Sequence, residues 1–422
     1  MKKALIVLLI LAVAGGLFAQ GWTFSGYMNG GLGIQFDSKH DPTTYVSSSN
    51  AQVGDGGRLH FISNYVNPNK NAGIYLRLRA DGKATGGSNN GSSIFSPGVN
   101  SAFAWVTALD GMIWVAGGKF DNAGGPQGNF TTMDRMYAYT HGEGTGIYTI
   151  VKPIDVLEVG VAGFRGNNAS MYKNTMVLGN VAVTVPNTVK ILAGMRNRSG
   201  IVASSNSVWT GKNTTVSGDE RNNRSAAWLS GSYLGMKELH AAVTMRMFNY
   251  EKFNDYGYME FMETFGWTGI ENLNLNFGAR ETLFAGKKAK AGVTKSDMAL
   301  WLWFWASYAL NDGAIVPRLD VNYVSGASWG GTVNFTNGAV APAFTNSGAR
   351  IPMRDSIYIW DNKVSFMNLR LSNQFRISST AYVEVGYQTW LGIGKGYKDL
   401  TKINSQLEKM EHAVYADVTV SF

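Results

Sequence analysis

The chain contains no cysteine and only nine prolines among its 422 residues. Without cysteine it can form neither a disulfide framework nor a lipid-anchored cysteine. Its five histidines are scattered, and none has a second histidine four residues later, so the spacing of a zinc site is missing. We therefore expect no metal and no cofactor. Disordered chains are poor in aromatic residues, whereas 12% aromatics and 51 glycines are typical of a β protein with many turns.

Long apolar runs are also scarce. After the N-terminal segment, the longest nearly unbroken run is MALWLWFWASYAL, Met298–Leu310, which is shorter than the roughly 20 residues that a membrane-spanning helix needs. In lipid, only helices and closed β-barrels satisfy their backbone hydrogen bonds. If the chain crosses a membrane, it must therefore do so as a barrel.

The N-terminus has the layout of a secretory signal peptide. Two lysines precede an apolar run from Ala4 to Val13, and small residues lead up to Ala19. We expect residues 1–19 to be removed on export, which leaves 20–422 as a single domain. The formal net charge of the whole chain is +8, but because the protein is exported we expect no nucleic-acid partner.

After this segment, apolar and polar residues alternate over unusual lengths. In GWTFSGYMNGGLGIQF, Trp22, Phe24 and Met28 fall on one face of a strand, and Thr23 and Ser25 fall on the other. Strands of globular proteins usually run about 5 or 6 residues, so this length suits a tilted strand that crosses a membrane. The same pattern recurs in AGIYLRLRAD, LHAAVTMRMF and ENLNLNFGAR.

Short and long connections alternate along the chain. The short ones are rich in turn-forming residues, as at Leu109–Gly111, Asn311–Gly313 and Asn373–Arg376, and the long ones are polar stretches such as 198–224 and 325–362. This spacing predicts an all-β fold, a transmembrane antiparallel up-and-down β-barrel of about 18 strands, with 16 or 20 strands as open alternatives. The predicted strands are 22–36, 56–64, 71–81, 101–108, 112–120, 146–152, 156–164, 175–185, 188–197, 225–234, 239–248, 256–267, 272–281, 298–310, 314–324, 363–373, 377–391 and 411–422.

The C-terminal sequence EHAVYADVTVSF ends on an aromatic residue, with apolar residues at alternate positions before it. In this ending, and in the pattern of the whole mature chain, the protein resembles the porin-type outer-membrane proteins of diderm bacteria. The leader ending LFAQ is similar to that of spirochaetal exported proteins. The resemblance implies that the last strand carries the signal read by the barrel-assembly machinery, on Phe422, Val420, Val418, Ala416 and Val414.

The resemblance also implies a function. We expect a protein of the bacterial outer membrane that forms a passive diffusion channel for small hydrophilic solutes, with membrane lipid and the assembly machinery as partners and with room for a homo-oligomer such as a trimer. Two alternatives stay open. One is a sugar-selective, maltoporin-like channel in which Trp301, Trp303 and Trp305 stack on sugars. The other is a surface adhesin or outer-sheath protein that displays loops 198–224 and 325–362.

We expect no enzyme. Outer-membrane barrels that are enzymes place a nucleophile or paired carboxylates near the rim of the barrel. Adjacent carboxylates in this sequence, such as Asp219 and Glu220, lie in a long polar connection, where contact with solvent explains them.

Charged residues alternate with apolar ones in several predicted strands. A charged side chain on the lipid-facing surface costs about 2 to 4 kcal/mol at the membrane midplane, so we assign the charged member of each pair to the barrel interior. The acids assigned in this way are Asp81, Glu158, Asp320, Glu384 and Asp417. Cations outnumber them, and because rings of Arg and Lys favour anions, we expect a weak anion preference. The predicted pore-lining cations are Arg77, Arg79, Lys190, Arg196, Arg246, Arg280, Arg318 and Arg370.

Overall fold

The structure is a computed structural model that describes most of the chain after its N-terminal segment. The predicted signal peptide and loop 198–224 lie outside the described residues, as does most of 325–362. The described residues are 21–36, 42–47, 55–83, 96–120, 144–165, 175–197, 225–248, 250–284, 298–325, 335–336, 339–340, 365–393 and 410–422.

The described residues are almost entirely β-strand. Their helical segments are a 3₁₀ turn at Tyr250–Lys252 and one helical turn at Phe253–Tyr256. No helix in these ranges is long and apolar enough to cross a membrane. The strands are β1 (Trp22–Phe36), β2 (Thr43–Ser47), β3 (Asp55–Val66), β4 (Ala72–Lys83), β5 (Ser96–Ala108), β6 (Ile113–Phe120), β7 (Gly144–Ile154), β8 (Leu157–Arg165), β9 (Thr175–Val185), β10 (Val189–Arg196), β11 (Ala226–Tyr233), β12 (Leu239–Phe248), β13 (Tyr258–Ile270), β14 (Leu273–Phe284), β15 (Met298–Tyr308), β16 (Ile315–Ser325), β17 (Phe335–Thr336), β18 (Ala339–Val340), β19 (Ser365–Ser378), β20 (Ala381–Ile393) and β21 (Met410–Ser421).

Eighteen of these strands, β1, β3–β16 and β19–β21, form a closed antiparallel barrel. Each barrel strand pairs with the barrel strands before and after it along the chain, and β1 closes the barrel by pairing with β21, from Tyr27↔Ser421 to Phe36↔His412. Short β2 extends the sheet along β1 beyond the end of β3, and β17 pairs with β18 separately. The predicted all-β, up-and-down barrel of 18 strands is confirmed.

One predicted turn is wrong. Asn373–Arg376 lies inside β19, and the chain turns instead at Ser379–Thr380. Polar residues continue the strand here because the interior supplies partners for them: Nε2 of Gln374 donates a hydrogen bond to Oε2 of Glu384 at 2.8 Å. The prediction from turn-forming residues alone therefore placed this turn several residues before its position in the structure.

Residues with left-handed backbone close several of the short turns. Asn187, Asn272 and Asn311 have φ angles of 54°, 64° and 49°. Asn visits this region more readily than most residues because its short polar side chain can hydrogen-bond locally. Asp110 and Gly111, in a predicted turn, have φ angles of 52° and 88°.

The two faces of the barrel wall differ in polarity. On β21, Tyr415 and Asp417 are buried, whereas Val414 and Val418 are 42% and 48% exposed. A closed barrel has one inner and one outer face, so the buried side chains point inward and the exposed apolar ones point outward. The apolar face noted in the C-terminal sequence is therefore the outer face.

The rule that apolar residues point outward is wrong for β6–β9. Phe120, Tyr148 and Phe164 are each 1% exposed and lie on the inner face of these strands, while Val161 and Val177 are exposed on the outer face. Both faces of this part of the wall are therefore apolar. Strands with apolar residues on both faces read as nearly continuous apolar runs, as VLEVGVAGF does here.

Candidate functional site

The barrel interior is the candidate functional site because most of the charged side chains of the strands collect there. The eight cations predicted to line it occupy six strands. Arg246 and Arg370 are 6% and 2% exposed, so these two are packed within the wall. Arg77 and Arg79 lie on β4, Lys190 and Arg196 on β10, Arg246 on β12, Arg280 on β14, Arg318 on β16 and Arg370 on β19.

Two of these arginines share one carboxylate. Nη2 of Arg246 donates to Oε2 of Glu260 at 2.5 Å, and Nη2 of Arg280 donates to Oε1 of the same residue. Glu260 lies on β13, between the strands that carry the arginines, and is 3% exposed. The guanidinium of Arg246 also lies 5.2 Å from the ring centroid of Phe248. Three neighbouring strands are thus joined by charge-assisted hydrogen bonds.

Glu260 is a residue that the sequence reasoning missed. Its strand reads YMEFMETFGWTGI, with a glutamate at 260 and another at 263. These positions fall on opposite faces. Phe261, Phe265 and Trp267 share the face of Glu263, so the alternation was a signal that could have placed Glu260 inside. The structure buries Glu260 against two arginines and leaves Glu263 exposed.

A second charged cluster spans β16, β19 and β20. Nη2 of Arg370 donates to Oδ2 of Asp320 at 3.0 Å, and its Nη1 lies 3.7 Å from Oε1 of Glu384. Nη1 of Arg318 lies 3.5 Å from Oε2 of Glu384. The hydroxyl of Tyr415 on β21 donates to Oε1 of Glu384 at 2.8 Å. Asp320 and Glu384 are 1% and 0% exposed, so this cluster is buried.

Two of the three tryptophans on β15 support this cluster. Nε1 of Trp303 donates to Oδ1 of Asp320 at 3.2 Å, and the indole is 4% exposed. The guanidinium of Arg318 lies 4.9 Å from the ring centroid of Trp305, in cation–π range. The side chain of Trp301 is outside the described part of the structure. Stacking of these three rings on sugars stays a prediction, and the contacts seen for Trp303 and Trp305 are with the charged cluster.

The charges on this side of the interior balance. Arg246, Arg280, Arg318 and Arg370 contribute four positive charges. Four buried carboxylates on β13, β16, β20 and β21 oppose them, so the formal sum of these eight groups is 4 − 4 = 0. Half of the predicted pore-lining cations are therefore compensated locally. The four carboxylates are Glu260, Asp320, Glu384 and Asp417.

Aromatic rings cover the opposite part of the inner wall. The rings of Tyr75, Phe103 and Phe120 stack in series across β4, β5 and β6, with centroid distances of 5.1 and 4.8 Å. Phe164 on β8 meets Phe120 edge-on at 5.5 Å. The hydroxyl of Tyr148 accepts a hydrogen bond from Nδ2 of Asn180 at 3.1 Å. The interior thus has an aromatic side and a charged side.

The residues of the predicted assembly signal lie along the outer face of the last strand. Val414, Ala416, Val418 and Val420 are exposed there and alternate with buried residues. Phe422 follows directly and is 56% exposed. Their role as a signal stays a prediction.

One short sequence matches a catalytic motif. GASWG, 326–330, has the G-x-S-x-G pattern of the nucleophile elbow. That elbow sits where a strand of an α/β sheet turns into a helix. Here the motif follows β16, an antiparallel barrel strand, and its residues are outside the described ranges. The flanking fold does not supply the context that the motif needs.

No protein-family model matches the chain, and no curated protein matches its sequence. Solved structures do resemble it. The crystal structure of a doubly substituted OccD1 (OprD) is 8% identical, the match covers 96% of each chain, and the TM-score is 0.50. The fold is that of the porin-type outer-membrane barrels. OccD3 (OpdP) of Pseudomonas aeruginosa is 9% identical over 96% of this chain and 91% of its own, with a TM-score of 0.49. The outer-membrane channel DcaP of Acinetobacter baumannii is 9% identical over 95% and 97%, with a TM-score of 0.47.

Proposed function

We propose that the protein forms a passive diffusion channel for small hydrophilic solutes in the outer membrane of a diderm bacterium. The observation that carries this proposal is the contrast between the two faces of the closed wall, which is apolar outside and carries two ion-pair clusters inside. Barrels of 16 to 18 strands are wide enough to leave an aqueous channel. The proposal implies lipid and the barrel-assembly machinery as partners and requires no catalytic residue.

The outer face supports the membrane location. Large apolar side chains are exposed around the barrel, among them Ile74, Val161, Val243 and Leu371 at 47%, 54%, 53% and 50%. In water such a surface would drive association, whereas in a bilayer it matches the apolar band of about 25 Å found on outer-membrane barrels. The exposed valines and leucines therefore fit lipid as their surroundings.

We further propose a weak anion preference for this channel. The charged clusters on β12–β21 leave little net charge on their side of the wall, so the preference depends on the cations of β4 and β10. These are Arg77 and Arg79 on β4, and Lys190 and Arg196 on β10. Salt screens such charges over about 10 Å at 0.1 M, so in a wide pore their effect is small.

The reversal potential of the purified protein in a planar bilayer tests this proposal. Under a KCl gradient we expect a small potential of the sign given by chloride preference, decreasing as the salt concentration rises. The double variant Arg77→Ser with Arg79→Ser should reduce it, because two interior cations are lost. A control that removes two cations from the short turns, Lys70→Asn with Lys237→Ser, should leave it nearly unchanged.

Two results would contradict the anion preference. One is a potential of the sign given by potassium preference. The other is a chloride preference whose reversal potential falls equally in both double variants. The preference would then depend on the net charge of the protein and not on the cations of the pore interior.

A further inference from the structure

The terminal residue Phe422 crosses the seam at which the barrel closes. Its backbone N–H and C=O pair with the C=O and N–H of Gly26 on β1, at 3.0 and 2.9 Å. Its ring reaches over β1 toward Phe61 on β3, with ring centroids 6.4 Å apart. A Cβ atom at Gly26 would lie 2.8 Å from Cζ of Phe422 and closer still to the backbone oxygen of His60, so a side chain here would meet both. The ring of Phe422 therefore occupies space that a glycine leaves open.

A second glycine of β1 accommodates a side chain of β21 on the inner face. Asp417 pairs with Gly31 across the seam and is fully buried. A Cβ atom at Gly31 would overlap Oδ1 of Asp417. The seam thus has two recesses, Gly26 outside and Gly31 inside, each filled by a residue of the last strand.

The recess at Gly26 opposes one possible slip of the seam. Antiparallel strands that slip keep their inner and outer faces only if the slip is an even number of residues. A slip of two residues in one direction would set Asp417 opposite Gly33, which has no side chain to oppose it, and Tyr415 opposite Gln35. The same slip would set Phe422 opposite Met28, whose side chain takes the space that Gly26 leaves open. The ring of Phe422 therefore opposes this slip.

A slip of the seam by two residues in the opposite direction meets both recesses. It would set Phe422 opposite Phe24, whose exposed side chain occupies the outer face as that of Met28 does. It would also set Asp417 opposite Asn29, which is 3% exposed on the inner face. Two buried polar side chains would then compete for the space that one carboxylate fills at Gly31. Cross-strand contacts between side chains are what select one register over another, so Asp417 opposes this slip.

We propose that the two recesses fix the register in which the barrel closes. Phe422 over Gly26 opposes both two-residue slips, and Asp417 over Gly31 further opposes the slip toward Asn29. This is a property of the folded seam, separate from the proposed channel function and from the role of the last strand as an assembly signal.

Disulfide cross-linking reads the register directly because the chain has no cysteine of its own. Leu32→Cys on the outer face of β1 is combined in turn with Ala416→Cys, its partner in the structure, with Val418→Cys and with Val414→Cys. Each protein is purified unfolded, refolded into detergent micelles without assembly machinery, and oxidised. Disulfides demand close and specific Cα geometry, so each pair reports one register.

The proposal predicts a different shift for each variant. Without further changes, the pair at 32 and 416 should form the main disulfide. Phe422→Ala should shift cross-linking toward the pair at 32 and 418. Asp417→Ser combined with Phe422→Ala should in addition form the pair at 32 and 414, because with Phe422 intact the ring would still meet Phe24 in that register. Thr419→Ala, a neighbouring inner-face change on the same strand, should leave the main pair at 32 and 416.

Cross-linking of 32 with 416 at the unmodified rate in both Phe422→Ala and the double variant Phe422→Ala with Asp417→Ser would overturn the proposal. A second comparison applies if those variants do not fold. Gly26→Ala should reduce the yield of heat-modifiable barrel, while Gly179→Ala, where a Cβ atom meets nothing within 4 Å, should not. Equal yields of these two alanine variants would also overturn it. The cross-link does not depend on conductance, so its outcome is independent of the channel proposal.

Discussion

Arg370 is the residue on which the larger charged cluster depends. Its guanidinium lies between Asp320 and Glu384, whose side chains are nearly inaccessible to solvent. Removing one partner of a buried ion pair is much more destabilising than the pair itself is stabilising, because the remaining charge keeps its desolvation cost. Here two carboxylates share the cation, so the effect of its loss extends to both β16 and β20.

We therefore expect Arg370→Gln to lower the free energy of unfolding by about 3 to 5 kcal/mol, the usual cost of breaking a buried ion pair. Urea unfolding of the refolded barrel, followed by tryptophan fluorescence, measures this. Arg376→Gln is the control, because Arg376 lies on the same strand and is exposed. Equal unfolding midpoints for the two variants would show that Arg370 is not needed to compensate these carboxylates.

The positions of the arginines followed from the sequence, but their partners did not. Alternation with apolar residues placed Arg246 and Arg280 on one face of their strands, and the structure pairs both with the buried Glu260. That pairing depends on which strands are neighbours and on their register, which one strand's pattern does not contain. The stacking of Arg318 on Trp305 depends on the same long-range information.

At the scale of elements, the hairpin of β9 and β10 shows how one turn residue sets a connection. Asn187 has a φ of 54°, and the N–H of Thr188 donates to the C=O of Val185 at 3.1 Å. A left-handed backbone costs an ordinary L-residue roughly 1–2 kcal/mol, whereas glycine adopts it freely. At position 187 the hairpin therefore needs a residue that tolerates a left-handed backbone, and a polar side chain alone is not enough.

For this reason Asn187→Val should lower the free energy of unfolding by about 1–2 kcal/mol, while Asn187→Gly should have a much smaller effect. The same urea titration compares the two variants with the unmodified protein. A valine variant as stable as the glycine variant would show that the backbone at this turn relaxes to a right-handed conformation.

Strand position was easier to predict than strand environment. The alternation in β1 and β21 predicted both strands closely, because each has a clear apolar face. β6–β9 were also predicted as strands, but the aromatic inner wall formed by Phe120, Tyr148 and Phe164 was not. A strand that is apolar on both faces shows no alternation to indicate which side points inward. The turn at Ser379–Thr380 was misplaced because polar residues in β19 find partners inside the barrel.

At the scale of the whole molecule, closure joins the ends of the chain. β1 and β21 pair over their whole shared length, and Phe422 extends this pairing by one residue. An even number of strands places both ends on the side of the short turns. The sequence predicted this arrangement from the count of connections, while the contacts of Phe422 with Gly26 and Phe61 became visible only in the structure.

In cells, Phe422→Asp should leave export intact and abolish insertion into the outer membrane. The change removes the terminal aromatic of the predicted assembly signal and places a charge beside the outer-face ring of Phe61. Fractionation and the heat-modifiable shift on gels measure this. Ser421→Asp adds the same charge at the preceding residue but keeps the ring of Phe422, so this variant should still insert. If the Phe422→Asp protein reached the outer membrane as a heat-modifiable barrel at normal levels, the prediction of an assembly signal would be wrong.

The most direct test of the channel is the swelling of liposomes that contain the purified, heat-modifiable barrel. In uncharged sugars of increasing size, we expect swelling well above that of protein-free liposomes, with a rate that falls steadily as the solute grows. Passive diffusion through a water-filled barrel predicts this dependence on size. The channel proposal would be contradicted if liposomes with the correctly folded barrel swelled no faster than protein-free liposomes, even in the smallest sugar.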